Sequence, residues 1–384
     1  MGITRRLFLG GGASLAAAMA SGTRLKRRSA RAQASAWEVV DLFALTEALS
    51  YRGNEYVGSF LDMNAAGEVG GSFVVSDVKI SPAIWSPDGK ATRLKSGKYG
   101  GEVWALNNNG LAVGAGFLGV RGFESEESFY PGYLTPRAWK DGQPVELEVL
   151  GGDIKVSTGI VQDLNDDGIM VGYLVDPALN VEVPVKWQDG AATVLAGGSP
   201  GGGFANQINS AGDIGGYARI DGTSTAVMWR GDKMDVLAPP DDPDLGENSV
   251  FLLGDLGDNG QILAVMNVPY EIDASTIGYS NASYVLDKGK WTKLASPDET
   301  RQSVYGRSMN ASGVVVGSIN STEEDVQALS AIWEGGEGRI LDEEVELPSG
   351  LKMAGVVKIN DEGQILADAR DADGTRHAVI LRPA

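Results

Sequence analysis

The chain has no cysteine and one histidine, His377, among 384 residues. Without thiols it forms no disulfide and no thiolate metal site, so its stability must come from a packed core. A lone histidine leaves no material for a His-based zinc centre and argues against a Ser-His-Asp triad. Positive charge is also scarce, with 32 Lys and Arg against 51 Asp and Glu and a net charge of −19. Such a surface repels nucleic acid and anionic lipid. No stretch is apolar enough for long enough to cross a bilayer. Gly201-Gly202-Gly203 precedes a strand pattern, so it is not a phosphate loop.

The basic residues that do exist crowd the start. Thr4-Arg5-Arg6-Leu7-Phe8-Leu9 precedes a mild apolar run from Gly10 to Ala20, a basic patch and the small-x-small sequence Ala32-Gln33-Ala34. This resembles a twin-arginine (Tat) signal peptide over residues 1–34, with Arg5 and Arg6 as the pair. The resemblance implies export in the folded state, to the periplasm or beyond the cell. Removal of those residues leaves 25 basic against 51 acidic side chains and a net charge near −26.

From residue 37 onward one pattern recurs. Turn glycines fall at Gly67, Gly110, Gly168, Gly212, Gly260, Gly313 and Gly363. An asparagine stands three residues earlier in six copies (Asn64, Asn107, Asn165, Asn209, Asn310, Asn360), whereas the fifth has Gly257 there and Asn259 beside it. Four residues after the turn comes Gly71, Gly114, Gly172, Gly216, Ala264, Gly317 or Ala367, a small residue that would let adjacent sheets approach. The asparagine is expected to cap the backbone two residues on, and the glycine to take positive φ. Each copy holds four short β-rich runs, here named A to D, and the third usually ends in tryptophan: Trp85, Trp139, Trp187, Trp229 and Trp333. One indole per unit reads as core between neighbouring sheets.

Four strands per unit is the period of a propeller blade. Residues 37–42 have the pattern of a D strand, and 376–381 that of a C strand. The expected fold is therefore all-β, a seven-bladed β-propeller closed by its N-terminal strand completing the last blade. The repeats Ile208-Asn209-Ser210-Ala211-Gly212 and Met309-Asn310-Ala311-Ser312-Gly313-Val314-Val315-Val316-Gly317 resemble the HAF-repeat family of extracellular proteins. Its His-Ala-Phe-Leu-Trp strand is worn here to Ala83-Ile84-Trp85 or Ala331-Ile332-Trp333, and the histidine survives only at His377. The resemblance implies an exported repeat protein and carries over no catalytic residue.

Strand alternation puts the A–B and C–D turns on one face, and the B–C and D–A connections, which hold the insertions, on the other. Candidate ligand residues on that loop-rich face are Glu124, Glu126, Tyr130 and Tyr133 of blade 2 and Asp241, Tyr270 and Glu271 of blade 5. Carboxylates interleaved with tyrosines suit a sugar, a cation or a basic peptide. A second candidate lies two residues before the turn asparagine, where Asp62, Asp163 and Asp255 would ring the channel and hold a hard cation such as calcium. Polar residues that merely tolerate channel water account for the same pattern. Asp371-Ala372-Asp373-Gly374 is turn chemistry and lacks the glutamate of a calcium loop.

The absence of a catalytic signature favours a non-catalytic binding protein whose partner is a small molecule, a glycan or a protein. The alternative is a carboxylate- or metal-dependent hydrolase or lyase acting on a carbohydrate or lactone at the channel mouth. A purely structural surface protein of a salty habitat is suggested by charge alone.

Overall fold

The computed structural model describes residues 37–42, 59–76, 79–117, 134–151, 158–197, 201–246, 248–273, 276–321 and 326–384, all within one compact unit, Ser35–Ala384. These residues form seven four-stranded antiparallel sheets, so the protein is a seven-bladed β-propeller. Blade 3 is representative. Strand A is Gly159–Leu164, B is Met170–Asp176, C is Val181–Gln188 and D is Ala191–Val194.

Closure follows the expected plan. Strand Trp37–Asp41 pairs antiparallel with the C strand of blade 7, Arg376–Pro383, in a register running from Trp37 opposite Pro383 to Asp41 opposite Val379. His377 lies beside this seam, its Nδ1 3.0 Å from Asp41 Oδ2. The core is divided in the same cyclic way. One hydrophobic cluster fills each junction between neighbouring blades, including the seam, where Met63, Val69 and Trp85 of blade 1 meet Val357, Leu366 and Ile380 of blade 7.

The five repeated tryptophans are almost wholly buried. Each indole is worth roughly 3–5 kcal/mol against alanine. Each also carries a donor that must be satisfied. Trp139, Trp187, Trp229 and Trp333 give Nε1–H to the carbonyls of Lys95, Glu148, Ala196 and Ala295, in the connection that leaves the preceding blade. The indole is thus both filler and inter-blade clasp.

Two details of the repeat work differently from expectation. The turn asparagine caps mainly four residues on: Oδ1 of Asn64, Asn165, Asn209 and Asn360 accepts from the N–H of Glu68, Ile169, Asp213 and Gln364, just past the turn glycine. The cap two residues on is found at Asn107 and Asn310, alongside the longer one. Secondly, the small residue in strand B relieves crowding inside its own blade. Every A strand has a register shift just before the channel-facing position. This β-bulge pushes a carbonyl toward strand B. A Cβ at Gly114, Gly172, Gly216 or Gly317 would stand 2.0–2.2 Å from the carbonyl oxygen of Glu102, Ile160, Phe204 or Tyr305.

Candidate functional site

The face that carries the A–B turns is tied into a ring. The asparagine that caps its own turn with Oδ1 has Nδ2 left over, and Nδ2 reaches the next blade. Asn64, Asn107, Asn165 and Asn209 donate to the carbonyls of Asn107, Asn165, Asn209 and Gly257. Asn310 donates to Asn360 and Asn360 back to Asn64, across the seam. The fifth copy has no side chain at Gly257, and Asn259 supplies the link by donating to Ala311 O at 2.7 Å. All seven junctions are bridged.

One layer deeper lie the three aspartates expected on the channel wall, and they do face it. Asp62, Asp163, Gln207, Asp255 and Lys358 line an open cavity of about 170 Å³ at the channel axis, with Asp166, Asp258 and Asp361 at its rim. Each inner aspartate also clamps the following blade. Asp62 Oδ2 accepts the N–H of Leu106, Asp163 Oδ2 that of Ile208 and Asp255 Oδ2 that of Met309, at 2.8–2.9 Å. The cation among them is a side chain of the protein, with Lys358 Nζ 3.5 Å from Asp62 Oδ1. Burial raises the Asp62 carboxyl and pushes Asp163 up to about 7, with Lys358 opposing both. Burial alone would pull the Lys358 ammonium down, but Asp62, Asp255 and Asp163 together hold it above the usual lysine range.

This arrangement does not suit calcium, one of the two readings given above for these aspartates. Calcium takes six to eight converging oxygens. Here the carboxylates belong to alternate blades, each has an oxygen bound to backbone, and an ammonium sits in their midst. Among the described residues no three metal-ligating side chains come together.

The loop-rich face is different in kind. Glu124, Glu126, Tyr130 and Tyr133 lie outside the described residues. Asp241 is exposed in the connection entering blade 5, where its neighbour Asp242 makes the contacts. Asp242 Oδ2 accepts from Tyr284 Oη at 2.7 Å and Lys293 Nζ at 2.9 Å, and hydrogen bonds from Lys293 and Tyr284 lower its carboxyl to about 2. Tyr270 and Glu271 lie on the B–C hairpin of blade 5. Its strands, Ile262–Asp273 and Thr276–Asp287, have twelve residues each against six to eight in the B and C strands elsewhere, so it projects beyond its neighbours. Tyr270 lies across Gly278, its register partner, where any Cβ would strike the ring at 2.5 Å. Glu271 is exposed opposite Ile277. The structure therefore brings Tyr270 and Glu271 together on one hairpin, with Asp241 in the connection that enters the blade.

Pairing places Val250, Asn267 and Asn281 in one row, Pro269 and Tyr279 in the next, and Glu271 and Ile277 in a third, all on one side of the hairpin. Val250, Ile277 and Tyr279 on that side are 48%, 60% and 62% exposed. Nearby on the inner strand of blade 6 are Tyr305 and Arg307, both exposed. The sequence reading missed this pair: they stand five and three residues before Asn310, out of step with the position that located the aspartates, and a bulge lies between Gly306 and Ser308.

No protein-family model matches this chain, and no curated protein matches it. Among solved structures it is similar to the polysaccharide lyase Uly1, at 10% identity over 88% of this chain and 94% of that one, with a TM-score of 0.50. It is also similar to the β-propeller domain of the Trilobed protease from Pyrococcus furiosus, at 9% identity over 86% and 94% of the two chains, with a TM-score of 0.49. The Aleuria aurantia lectin matches over 84% of this chain and 92% of its own, at 12% identity and a TM-score of 0.33. At these identities the likeness concerns the fold alone.

Proposed function

We propose that the protein is an exported, non-catalytic binding protein that meets its partner on the loop-rich face. The observation that carries this reading is the placement of its exposed large apolar side chains. Leu179, Val250, Ile272, Ile277, Tyr279 and Tyr305 all lie toward the B–C and D–A connections, while Val194 and Val236 lie on outer strands. Apolar groups gathered on one side of a rigid scaffold mark interaction surfaces. The opposite face offers side chains already committed to holding blades together. Export rests on the twin-arginine-like start, and the HAF-like repeats agree with a secreted repeat protein.

The test is a glycan and peptide array probed with the full chain and with an Ile277→Ser/Tyr279→Ser variant. The variant should lose the partner that the parent selects, and a Val194→Ser/Val236→Ser control should keep it. Equal binding by all three proteins would overturn this placement of the surface.

The second reading, a carboxylate-based hydrolase or lyase, is favoured by one group, Glu102. Burial raises its carboxyl, which accepts hydrogen bonds from Trp104 Nε1 at 3.1 Å and Ser72 Oγ at 3.2 Å. A raised carboxyl on an inner strand has the character of a general acid. Turnover of a polysaccharide or lactone panel that is abolished in Glu102→Gln would bring this reading forward.

A further inference from the structure

In a chain so rich in acid, several arginines have found a carboxylate. Arg230, Arg301, Arg339 and Arg376 are paired with Asp213, Asp298, Glu344 and Asp368. Arg307 is not. On the innermost strand of blade 6 it donates Nε–H to Val357 O of blade 7 at 3.2 Å, and its Nη groups have no protein partner among the described residues. Anchoring one nitrogen fixes the stem and leaves the outer fork to recognise something else.

Two tyrosine hydroxyls are candidates to act with Arg307. Tyr305 precedes Arg307 by two residues and is 37% exposed. Tyr217 reaches from blade 4 and is buried, its oxygen accepting the N–H of Leu253 at 2.5 Å. Its own proton has no protein acceptor among the described residues. Tyr305 lies close enough to act electrostatically on Tyr217; burial first, and Tyr305 after it, push Tyr217 up to about 12, so it remains a donor at any physiological pH. Space is provided on the blade 7 flank. The inner strand of blade 7 has Gly355 at the position matching Tyr305, with nothing within 4 Å of a Cβ placed there.

The inventory is one fixed cation and two hydroxyl donors, with no carboxylate among them. We propose that Arg307, Tyr305 and Tyr217 form an oxyanion subsite that binds a ligand through a single carboxylate. The guanidinium fork matches the two oxygens of a carboxylate, and the hydroxyls complete its lone pairs. A single charge is favoured over a phosphate dianion because Arg307 is the one cation placed at this site among the described residues, inside a strongly acidic molecule. This subsite lies on the face proposed above for partner binding and rests on that reading.

The probe is D-galacturonate, titrated calorimetrically into the full chain beside D-galactose and acetate. Galacturonate should bind and galactose should not, with affinity falling as salt is raised. Arg307→Gln should weaken galacturonate about tenfold or more, and Tyr305→Phe by a smaller factor. Both side chains are exposed, so the melting temperature should stay at the parent value. Acetate binding that is lost in Arg307→Gln would also support the site. Galactose binding as well as galacturonate, unchanged binding in Arg307→Gln, or no binding of either carboxylate would overturn it. Loss of the array partner in Ile277→Ser/Tyr279→Ser, with galacturonate binding intact, separates failure of the hairpin surface from failure of the subsite.

Discussion

The two ends of the channel are built from the same inner strands and have been put to opposite uses. At the A–B turn end, Asn64 to Asn360 link blade to blade, and Asp62, Asp163 and Asp255 each hold an N–H of the next blade. At the other end, the Arg307 Nη groups and the Tyr305 hydroxyl have no partner among the described residues. The lesson is that the regular part of a repeat is where the scaffold is fastened, and the positions that escape the pattern are free for other work.

The sharpest break in this comparison should come from Lys358→Met. It leaves the three carboxylates that line the cavity without their cation, at a cost of about 2–3 kcal/mol at pH 8. The figure is kept below that of a fully buried pair because the lysine is partly open to channel water. The loss should shrink toward pH 5 as the carboxyls take up protons, which urea titrations at the two pH values will show. Asn165→Ala removes both a turn cap and an inter-blade bond and should cost about 1–2 kcal/mol in the same assay.

A smaller effect sharpens the contrast through pH. Asp163 is raised from 3.8 to about 7 in the folded chain, which therefore retains a proton that the unfolded chain has lost. Its contribution to stability is thus greatest at low pH and declines as pH rises from 3.8 through about 7. Melting curves between pH 5 and 8 should show this decline in the parent and a flatter profile in Asp163→Asn. The smallest effect belongs to the open end: Arg307→Gln should alter stability by less than about 0.5 kcal/mol, measured by denaturant titration.

Much of the scaffold was legible because its causes are local and repeated. Gly168 and its counterparts take positive φ, Trp187 and its counterparts need burial, and both recur at fixed spacing. Even the closing strand could be read, since 37–42 and 376–381 each lacked a complement. The inter-blade hydrogen bonds were not legible. That Asn165 Nδ2 meets Asn209 O depends on the angle between sheets, which spacing does not encode. The bulge was hidden for a related reason: Gly172 reports a small volume, and only the structure tells that the oxygen of Ile160 requires it. At the candidate sites, acidity drew the eye to Asp62, Asp163 and Asp255. Their engagement with backbone and with Lys358 emerges only when alternate blades are brought to one axis. Arg307 and Tyr305 occur once, and a search for recurrence passes over what does not recur.

The division of labour between the two ends is tested most directly by titrating D-galacturonate into Asn165→Ala and Arg307→Gln side by side, below the melting temperature of either. The account predicts that Asn165→Ala binds like the parent although it is less stable, while Arg307→Gln is as stable as the parent and binds at least about tenfold more weakly. Binding lost in Asn165→Ala and kept in Arg307→Gln would contradict it.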